Sequence, residues 1–348
     1  MRKNVFSRSK PNEKKLKVVT IGGGNGSFSL LSGLKSFDFD LSAIVAMTDD
    51  GGSTGRLRRE LGVLPPGDVR YCLSALSTLP DPWEKIWNYR FEEGGLRGHT
   101  AGNILLAGLE KFHGDFIKGL REMEKLLLVQ GKIIPATTSN VTLGVELLNK
   151  KVIEGQHKIN IYEHLQKEGV KRIFIKPEAR ANPKAISSIK EADIILIGPG
   201  NVYCSLLPTL IIEKIKKAIL KSKSLVIFNC NVLNRIDQTI GFDLDDYVKL
   251  INGYLGKNRI DVAIINNAKV SSKIKKCLSI KDEDLVKYNQ SKKTGDYLVF
   301  EEDILENKFS NFSRADEISY LRSPLRHDGE KVGKVILRIW KKMKKSTL

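Results

Sequence analysis

The first regular pattern along the chain begins at Leu16. Leu16-Lys-Val-Val-Thr-Ile21 is a short apolar run with β-branched residues, and it enters Gly22-Gly-Gly-Asn-Gly26. Phe28, Leu30, Leu31 and Leu34 then recur at the spacing of one helix face. A second apolar run, Leu41–Met47, ends in Thr48-Asp-Asp-Gly-Gly52. Strand, glycine turn, helix and strand in this order open a βαβ unit, and such crossovers build parallel sheets. From Asp68 the period becomes helical, with Val69, Cys72, Leu73 and Leu76 on one face and Asp68 placed as an N-cap. Helical character persists to about Leu128, which predicts a helix-rich insertion over about 65–130.

Strands return at Lys132–Pro135, around Val141–Leu143 and at Arg172–Ile175. Asp193-Ile-Ile-Leu-Ile197 has the continuous apolar character of a buried parallel strand, and it leads into Gly198-Pro-Gly-Asn201 and a helix from about Pro208 to Lys221. Ser224–Cys230 and Asp261–Asn266 are further apolar strands that end in asparagines. Lys281–Arg314 is polar and reads as a mobile excursion before the last helix. There is no internal repeat. The alternation predicts one Rossmann-like, doubly wound α/β domain over 18–330 with a mostly parallel sheet. A basic leader (1–17) precedes it and a basic helix or tail (331–348) follows.

Charge modifies this picture less than its total suggests. The 348 residues hold 58 Lys+Arg and 40 Asp+Glu, a net +18, which by itself invites a nucleic-acid reading. Residues 1–17 carry +6 and residues 331–348 carry +7, leaving +5 on the 313 residues between. The basicity is mostly terminal, and no nucleic-acid partner is expected. Val335, Ile336, Ile339, Trp340 and Met343 share one helical face, so the C-terminal segment reads as a docked helix with a lysine-rich end. The four cysteines are dispersed, without a metal-ligand or disulfide spacing. No apolar run reaches the length of about 18 residues that a membrane span needs, and no secretory leader is visible. These features predict a soluble, cytoplasmic protein.

In doubly wound sheets ligands sit beyond the carboxyl ends of the strands, so the residues that follow each strand are the candidates for chemistry. Gly22, Gly23 and Gly24, with Asn25, would let backbone N–H groups approach a phosphate at a helix N-terminus; the same glycines also suit a plain tight turn. Gly198, Pro199, Gly200 and Asn201 make a second such turn, which lacks the Lys-Ser/Thr of a P-loop. Two glycine turns on separate strands suit an extended ligand such as a nucleotide diphosphate conjugate. Asp49, Asp50 and Gly51 offer carboxylates for Mg²⁺ or a ribose, or simply an Asp-Gly turn. Arg56, Arg58 and Arg59 follow. Arg70, near the start of a helix, calls for an anion or an acidic partner such as Asp68. His99 and Asn103 flank a helix start at Thr100, where a capping role competes with chemistry. Asn229, Asn231 and Asn266 carry amides suited to sugar or base edges. Arg326-His327-Asp328 is a compact polar trio. No serine-hydrolase elbow or zinc-protease histidine pair is present.

Taken together, GGGNGSFSLLSGL (22–34), TDDGGSTGRLRRELGVLPPGDVRYCLSALS (48–77), YRFEEGGLRGHTAGNILLAGL (89–109), ADIILIGPGNVYCSLLPTL (192–210) and RHD (326–328) resemble the gluconeogenesis-factor family, the YvcK-like proteins. That family is related to the 2-phospho-L-lactate transferases of deazaflavin cofactor synthesis. The resemblance implies a Rossmann-like protein that binds UDP-N-acetylglucosamine and acts as a regulator in cell shape, cell-wall supply and growth on gluconeogenic carbon. It implies a protein partner, not identified by the sequence, and allows a homo-oligomer. Carried across by motif, Gly24, Asn25, Asp50, Gly198, Gly200 and Asn201 surround the ligand, while Tyr288 and Arg326 meet the nucleotide. The related transferases imply an alternative in which Asp49, Asp50 and His99 serve a Mg²⁺-dependent transfer. Two segments depart from the family pattern: GPGNVYCS stands for GPGSLYTS, and CNVLNRIDQTIGF (230–242) replaces a loop with a Pro-Gly turn and an acid. Both changes bear on ligand identity more than on fold.

Overall fold

The computed structural model describes residues 15–277, 284–306, 315, 323 and 325–346; most of the basic leader lies outside the described residues. Strand β1 (Leu16–Gly22) continues through α1 (Gly24–Leu34) to β2 (Phe39–Val45), which pairs in parallel from Leu16–Phe39 to Gly22–Val45. Five helices follow: α2 (Gly52–Leu61), α3 (Pro66–Leu76), α4 (Trp83–Asn88), α5 (Ala101–His113) and α6 (Phe116–Leu126). They return the chain to β3 (Lys132–Pro135) beside β2. Asp68 does not cap α3. That helix starts at Pro66, because proline suits a first position whose N–H has no partner, and Asp68 falls in its first turn.

Next come β4 (Thr142–Leu147), β5 (Val152–Glu154), α7 (Gln156–Asn160), α8 (Leu165–Glu168) and β6 (Val170–Lys176). The strands expected around Val141–Leu143 and Arg172–Ile175 pair with each other in a separate antiparallel sheet, ordered β5-β4-β6. Pairing partners are not encoded in local periodicity, which is why the sequence alone did not separate the two sheets.

The second half of the main sheet runs α9 (Pro183–Glu191), β7 (Ile194–Ile197), a π-helical turn (Val202–Leu206), α10 (Leu207–Leu210), α11 (Glu213–Lys221), β8 (Leu225–Asn229), α12 (Leu244–Leu255), β9 (Val262–Asn266) and α13 (Ser272–Cys277). The helix expected over Pro208–Lys221 is two helices, bent at Ile212, whose extended backbone keeps Leu210, Ile212 and Ile215 all in the core. The polar excursion holds strand β10 (Leu298–Glu302), which pairs in parallel with β9. Its mixed burial hid it from pattern reading, since an edge strand needs no apolar run.

The main sheet has the order β10-β9-β8-β7-β1-β2-β3 and all its neighbouring pairs are parallel. The chain leaves β1 in one direction toward β3 and resumes at β7 on the other side. The topological switch point therefore lies between β1 and β7. Val19, Ile21, Ile195, Ile197, Val226 and Phe228 face the side that holds α9 to α12 and the small sheet. Val18, Ile194, Leu196, Ile227 and Ile264 face α1, α3, α5, α6 and the last helix, α14 (Gly329–Ser346). In α14, Val332, Val335, Ile336 and Ile339 are buried, with Trp340 and Met343 packed beside them. A side chain on Gly33 would collide with the backbone of Gly329, so α1 and α14 cross at backbone contact.

Candidate functional site

The two glycine turns meet at the switch point. Gly24 has φ +65° and Gly198 φ +80°, conformations that only glycine adopts without strain. A Cβ on Gly26 would stand 2.6 Å from the carbonyl oxygen of Pro199, and one on Gly22 would stand 2.8 Å from Ser27 Oγ. The second turn is held in shape by a reciprocal pair: Gly200 N–H donates to Asn231 Oδ1 (3.0 Å) and Asn231 Nδ2 donates to the Gly200 carbonyl (2.9 Å). Asn201 accepts from the N–H groups of Tyr203 and Cys204 at 3.0 and 3.1 Å, capping the π-helical turn.

The paired aspartates are drawn to different elements. Asp50 Oδ2 accepts from Gln156 N–H at 3.0 Å and Oδ1 from His157 N–H at 2.6 Å, so Asp50 caps α7. Asp49 Oδ1 accepts from Gly51 N–H at 3.1 Å. Burial raises the Asp49 carboxyl above the usual carboxylate range, against the lowering effect of its bonds to Gly51 and Thr54. The far end of α7 reaches the second glycine turn, where Asn201 Nδ2 donates to Asn160 Oδ1 (3.1 Å) and to Gln238 Oε1 (2.8 Å). One short helix thus ties Asp50 to Asn201. Gln238 belongs to the divergent 230–242 loop, whereas Gln156 and Asn160 were not foreseen, since a five-residue helix is too short to give a periodic signal.

Gly67 and Asp68 join the remaining motifs. A Cβ on Gly67 would press on Thr54 and stand 2.9 Å from Asp49 Oδ2, while one on Gly23 would collide with the Asp68 carboxylate. Asp68 is thus set against the first glycine turn. Arg70 is engaged by neutral groups: its Nε donates to Asn103 Oδ1 (3.1 Å), its Nη1 to Asn88 Oδ1 (2.6 Å), and its guanidinium lies 4.1 Å from the centre of the Tyr71 ring. Asn103 Nδ2 donates to Ser53 Oγ, which lies 2.9 Å from His99 Nδ1. His99, Ser53, Asn103 and Arg70 are all buried, so this is an interior polar chain linking α2, α3 and α5. Thr100 caps α5 by accepting from Asn103 N–H at 3.3 Å. Of the three arginines after the paired aspartates, Arg58 clamps the Asp49 carbonyl (2.8 Å) to Asn140 and Val141, and Arg56 donates to the Arg97 carbonyl.

At the far strands, Asn266 donates to the Ala268 carbonyl (3.1 Å) and accepts from Ile304 N–H (3.3 Å). His327 is buried, with Nε2 2.9 Å from the Cys230 carbonyl; a carbonyl only accepts, so Nε2 carries the proton. Burial lowers this imidazole to about 4, so it is neutral near pH 7. Arg326 lies beside it, its carbonyl accepting from Glu306 N–H at 2.9 Å. Tyr288 packs with the cluster on the α12 side of the sheet, which also holds Val202 and Tyr203 after the second glycine turn, and burial raises its phenol. The structure thus brings Gly22–Asn25, Asp49–Gly51, Asp68 and Gly198–Asn201 together, with Asn231 bonded to Gly200 and the Asn229 backbone beside Gly198.

Residues 18–305 match the family described as 2-phospho-L-lactate transferase CofD. The chain belongs to this family. Within it the chain falls among the gluconeogenesis factors. It is similar to the gluconeogenesis factor of Bacillus subtilis (36% identity over 333 residues, 94% of this chain and 99% of that one). It is also similar to that of Halalkalibacterium halodurans (37% identity over 314 residues, 87% of this chain and 96% of that one). A crystal structure of a Bacillus halodurans protein superposes with a TM-score of 0.84 at 34% identity, covering 93% of this chain and 100% of that chain. This CofD-family chain has no described helix long and apolar enough to cross a membrane. Among its described residues no three His, Cys, Asp or Glu side chains converge as a cation site. Asp49 and Asp50 turn to different elements, Asp49 to the Gly51 backbone and Asp50 to the start of α7.

Proposed function

We propose that the protein binds a nucleotide diphosphate sugar, of the UDP-N-acetylglucosamine kind, across the carboxyl ends of β1, β7 and β8. It would act as a ligand-dependent regulator of cell shape, cell-wall supply and growth on gluconeogenic carbon, through a protein partner. The observation that carries the reading is the contact of Gly26 with Pro199. It sets two glycine turns side by side at the switch point, where backbone N–H groups and the N-terminus of α1 favour a diphosphate. The near-neutral body between the basic termini fits a small anion held by placed groups better than a polyanion. The test is calorimetric titration of the purified protein with UDP-N-acetylglucosamine, UDP-glucose, GDP, NAD and FAD. Tight binding confined to the UDP compounds supports the reading, and no binding of either UDP-sugar removes it.

A second reading, a 2-phospho-L-lactate transferase, is favoured by the family match over 18–305. Its residues would be Asp49, Asp50 and His99. Asp50 is engaged with α7 and His99 with Ser53, so we derive no metal-dependent step from them. Incubation with a deazaflavin acceptor, a nucleotide-activated phospholactate donor and Mg²⁺ tests it, and absence of product alongside UDP-sugar binding excludes it.

A further inference from the structure

Four asparagines stand at the ends of strands and turns around the candidate site, and three of them are engaged. Asn201 caps the π-helical turn, Asn231 is paired both ways with Gly200, and Asn266 fixes the Ala268 and Ile304 backbone. Asn229 differs. Its side chain is 0% exposed, and neither Oδ1 nor Nδ2 has a hydrogen-bond partner. Leaving a buried polar group unpaired forfeits its hydration with nothing in return, so such groups call for an explanation. Among the described residues Trp87 Nε1 and Thr209 Oγ1 are also buried and unpaired, but each is a single atom and neither ends a strand of the main sheet. Asn229 leaves an acceptor and a donor unmet together, at the carboxyl end of β8.

Its position fits a ligand. Alternation along β8 puts Phe228 on the α12 side and Ile227 with α1, so the Asn229 side chain projects to the α1 side. A Cβ on Gly198 would stand 2.8 Å from the Asn229 carbonyl, which places Asn229 directly beside the second glycine turn. Adjacent strands are about 4.8 Å apart, so the amide stands roughly 5–10 Å from the β1–β7 switch point. That is the separation between a diphosphate and the rings attached to it. The amide is closed from solvent here. The segment that crosses the end of β8 is Leu325–Asp328, held by His327 on the Cys230 carbonyl and by Asp328 N–H on the Ile304 carbonyl (2.8 Å).

We propose that Asn229 reads the ligand: its amide hydrogen-bonds to an amide or imide group of the bound nucleotide sugar, and the Leu325–Asp328 segment moves to admit it. This inference rests on the nucleotide-sugar reading above. Two groups of the ligand carry amide chemistry: the imide of a uracil base, whose edge meets both atoms of the Asn229 amide, and the acetamido group of the sugar, whose trans N–H and C=O point apart so that only one of them meets it. An amide kept unpaired for a ligand predicts opposite changes in stability and affinity when it is removed.

The test replaces Asn229 with near-isosteric leucine and, separately, with alanine, and measures Tm without ligand and Kd for UDP-N-acetylglucosamine, UDP-glucose and UDP by calorimetry. The expected result for Asn229→Leu is a Tm equal to or above wild type and an affinity at least about tenfold weaker. Weakening toward all three ligands assigns the contact to the base, and weakening toward UDP-N-acetylglucosamine alone assigns it to the acetamido group. A lower Tm with unchanged affinity in either variant overturns the proposal, because the amide is then satisfied by an internal water and serves the fold. If Asn229→Leu does not fold, the affinity of Asn229→Ala decides: unchanged binding overturns the proposal and weakened binding sustains it. Failure of the wild-type protein to bind any UDP compound removes the nucleotide-sugar reading itself, a different result from equal binding by wild type and variants.

Discussion

The carbonyl oxygen of Pro199 lies 2.6 Å from where a side chain on Gly26 would begin. These residues belong to the two glycine turns, so the fit between α1 and the turn after β7 depends on a missing methyl group. Gly26→Ala is expected to push the turns apart, with an overpacking cost of about 1–3 kcal/mol. Chemical denaturation checks the stability loss, and calorimetry with UDP-N-acetylglucosamine should show weakened binding in the same variant.

Gly200→Asp separates binding from folding more cleanly. A Cβ there would lie 3.2 Å from Leu206 Cδ2 and from Ser205 Cβ, side-chain atoms that can yield slightly. The new carboxylate would repel a diphosphate. The expected outcome is a small change in Tm with loss of nucleotide-sugar binding; retained calorimetric heat would show that the ligand lies elsewhere.

Asp50→Ala removes the acceptor of two backbone N–H groups at the start of α7. The loss should be about 1–2 kcal/mol, as for other N-caps, with faster hydrogen exchange at Gln156 and His157. Because α7 also contacts Asn201 through Asn160, binding should weaken too.

Two groups give the stability opposite slopes with pH. Glu110 accepts from Leu64 N–H with both oxygens (3.2 and 3.0 Å), and burial raises its carboxyl to about 7. The folded state holds this proton more tightly than the unfolded chain, so its contribution is complete below the ordinary value of 4.5 and is lost as pH rises toward about 7. His327, lowered to about 4, acts the other way: the unfolded chain takes the proton first, and stability falls as pH drops from 6.5 toward 4. Tm measured across this range should rise less steeply with pH in His327→Gln than in wild type, and more steeply in Glu110→Gln.

Ile336 is 0% exposed within α14, although the segment around it is the most basic part of the described chain. Ile336→Ala should cost about 2–5 kcal/mol, as for other fully buried aliphatic residues. A loss within a few tenths of a kcal/mol would mean that the helix is not docked in solution.

Much of the fold was legible because it is written in local pattern. The apolar runs at Leu16–Ile21 and Asp193–Ile197 and the glycines after them marked the two strands that flank the switch point, and the helical face of Val335, Ile336 and Ile339 marked a docked helix. The small sheet, β10 and the role of α7 were not legible, since partner choice and edge strands depend on long-range packing. In the site, glycines were easier to read than charged groups. A glycine signals close approach whichever neighbour arrives, whereas Asp68, Asp50 and Arg70 each had several possible partners. Asp68 went to the first glycine turn, Asp50 to α7, and Arg70 to two amides.

The crossing of Gly33 with Gly329 has a consequence for the order of synthesis. The helix that carries the first glycine turn leans, backbone to backbone, on a helix made about 300 residues later. Until that later segment has been made, α1 lacks this support. A chain cut before α14 would therefore keep every strand of the sheet and still leave the Gly33 face of α1 without the backbone it packs on.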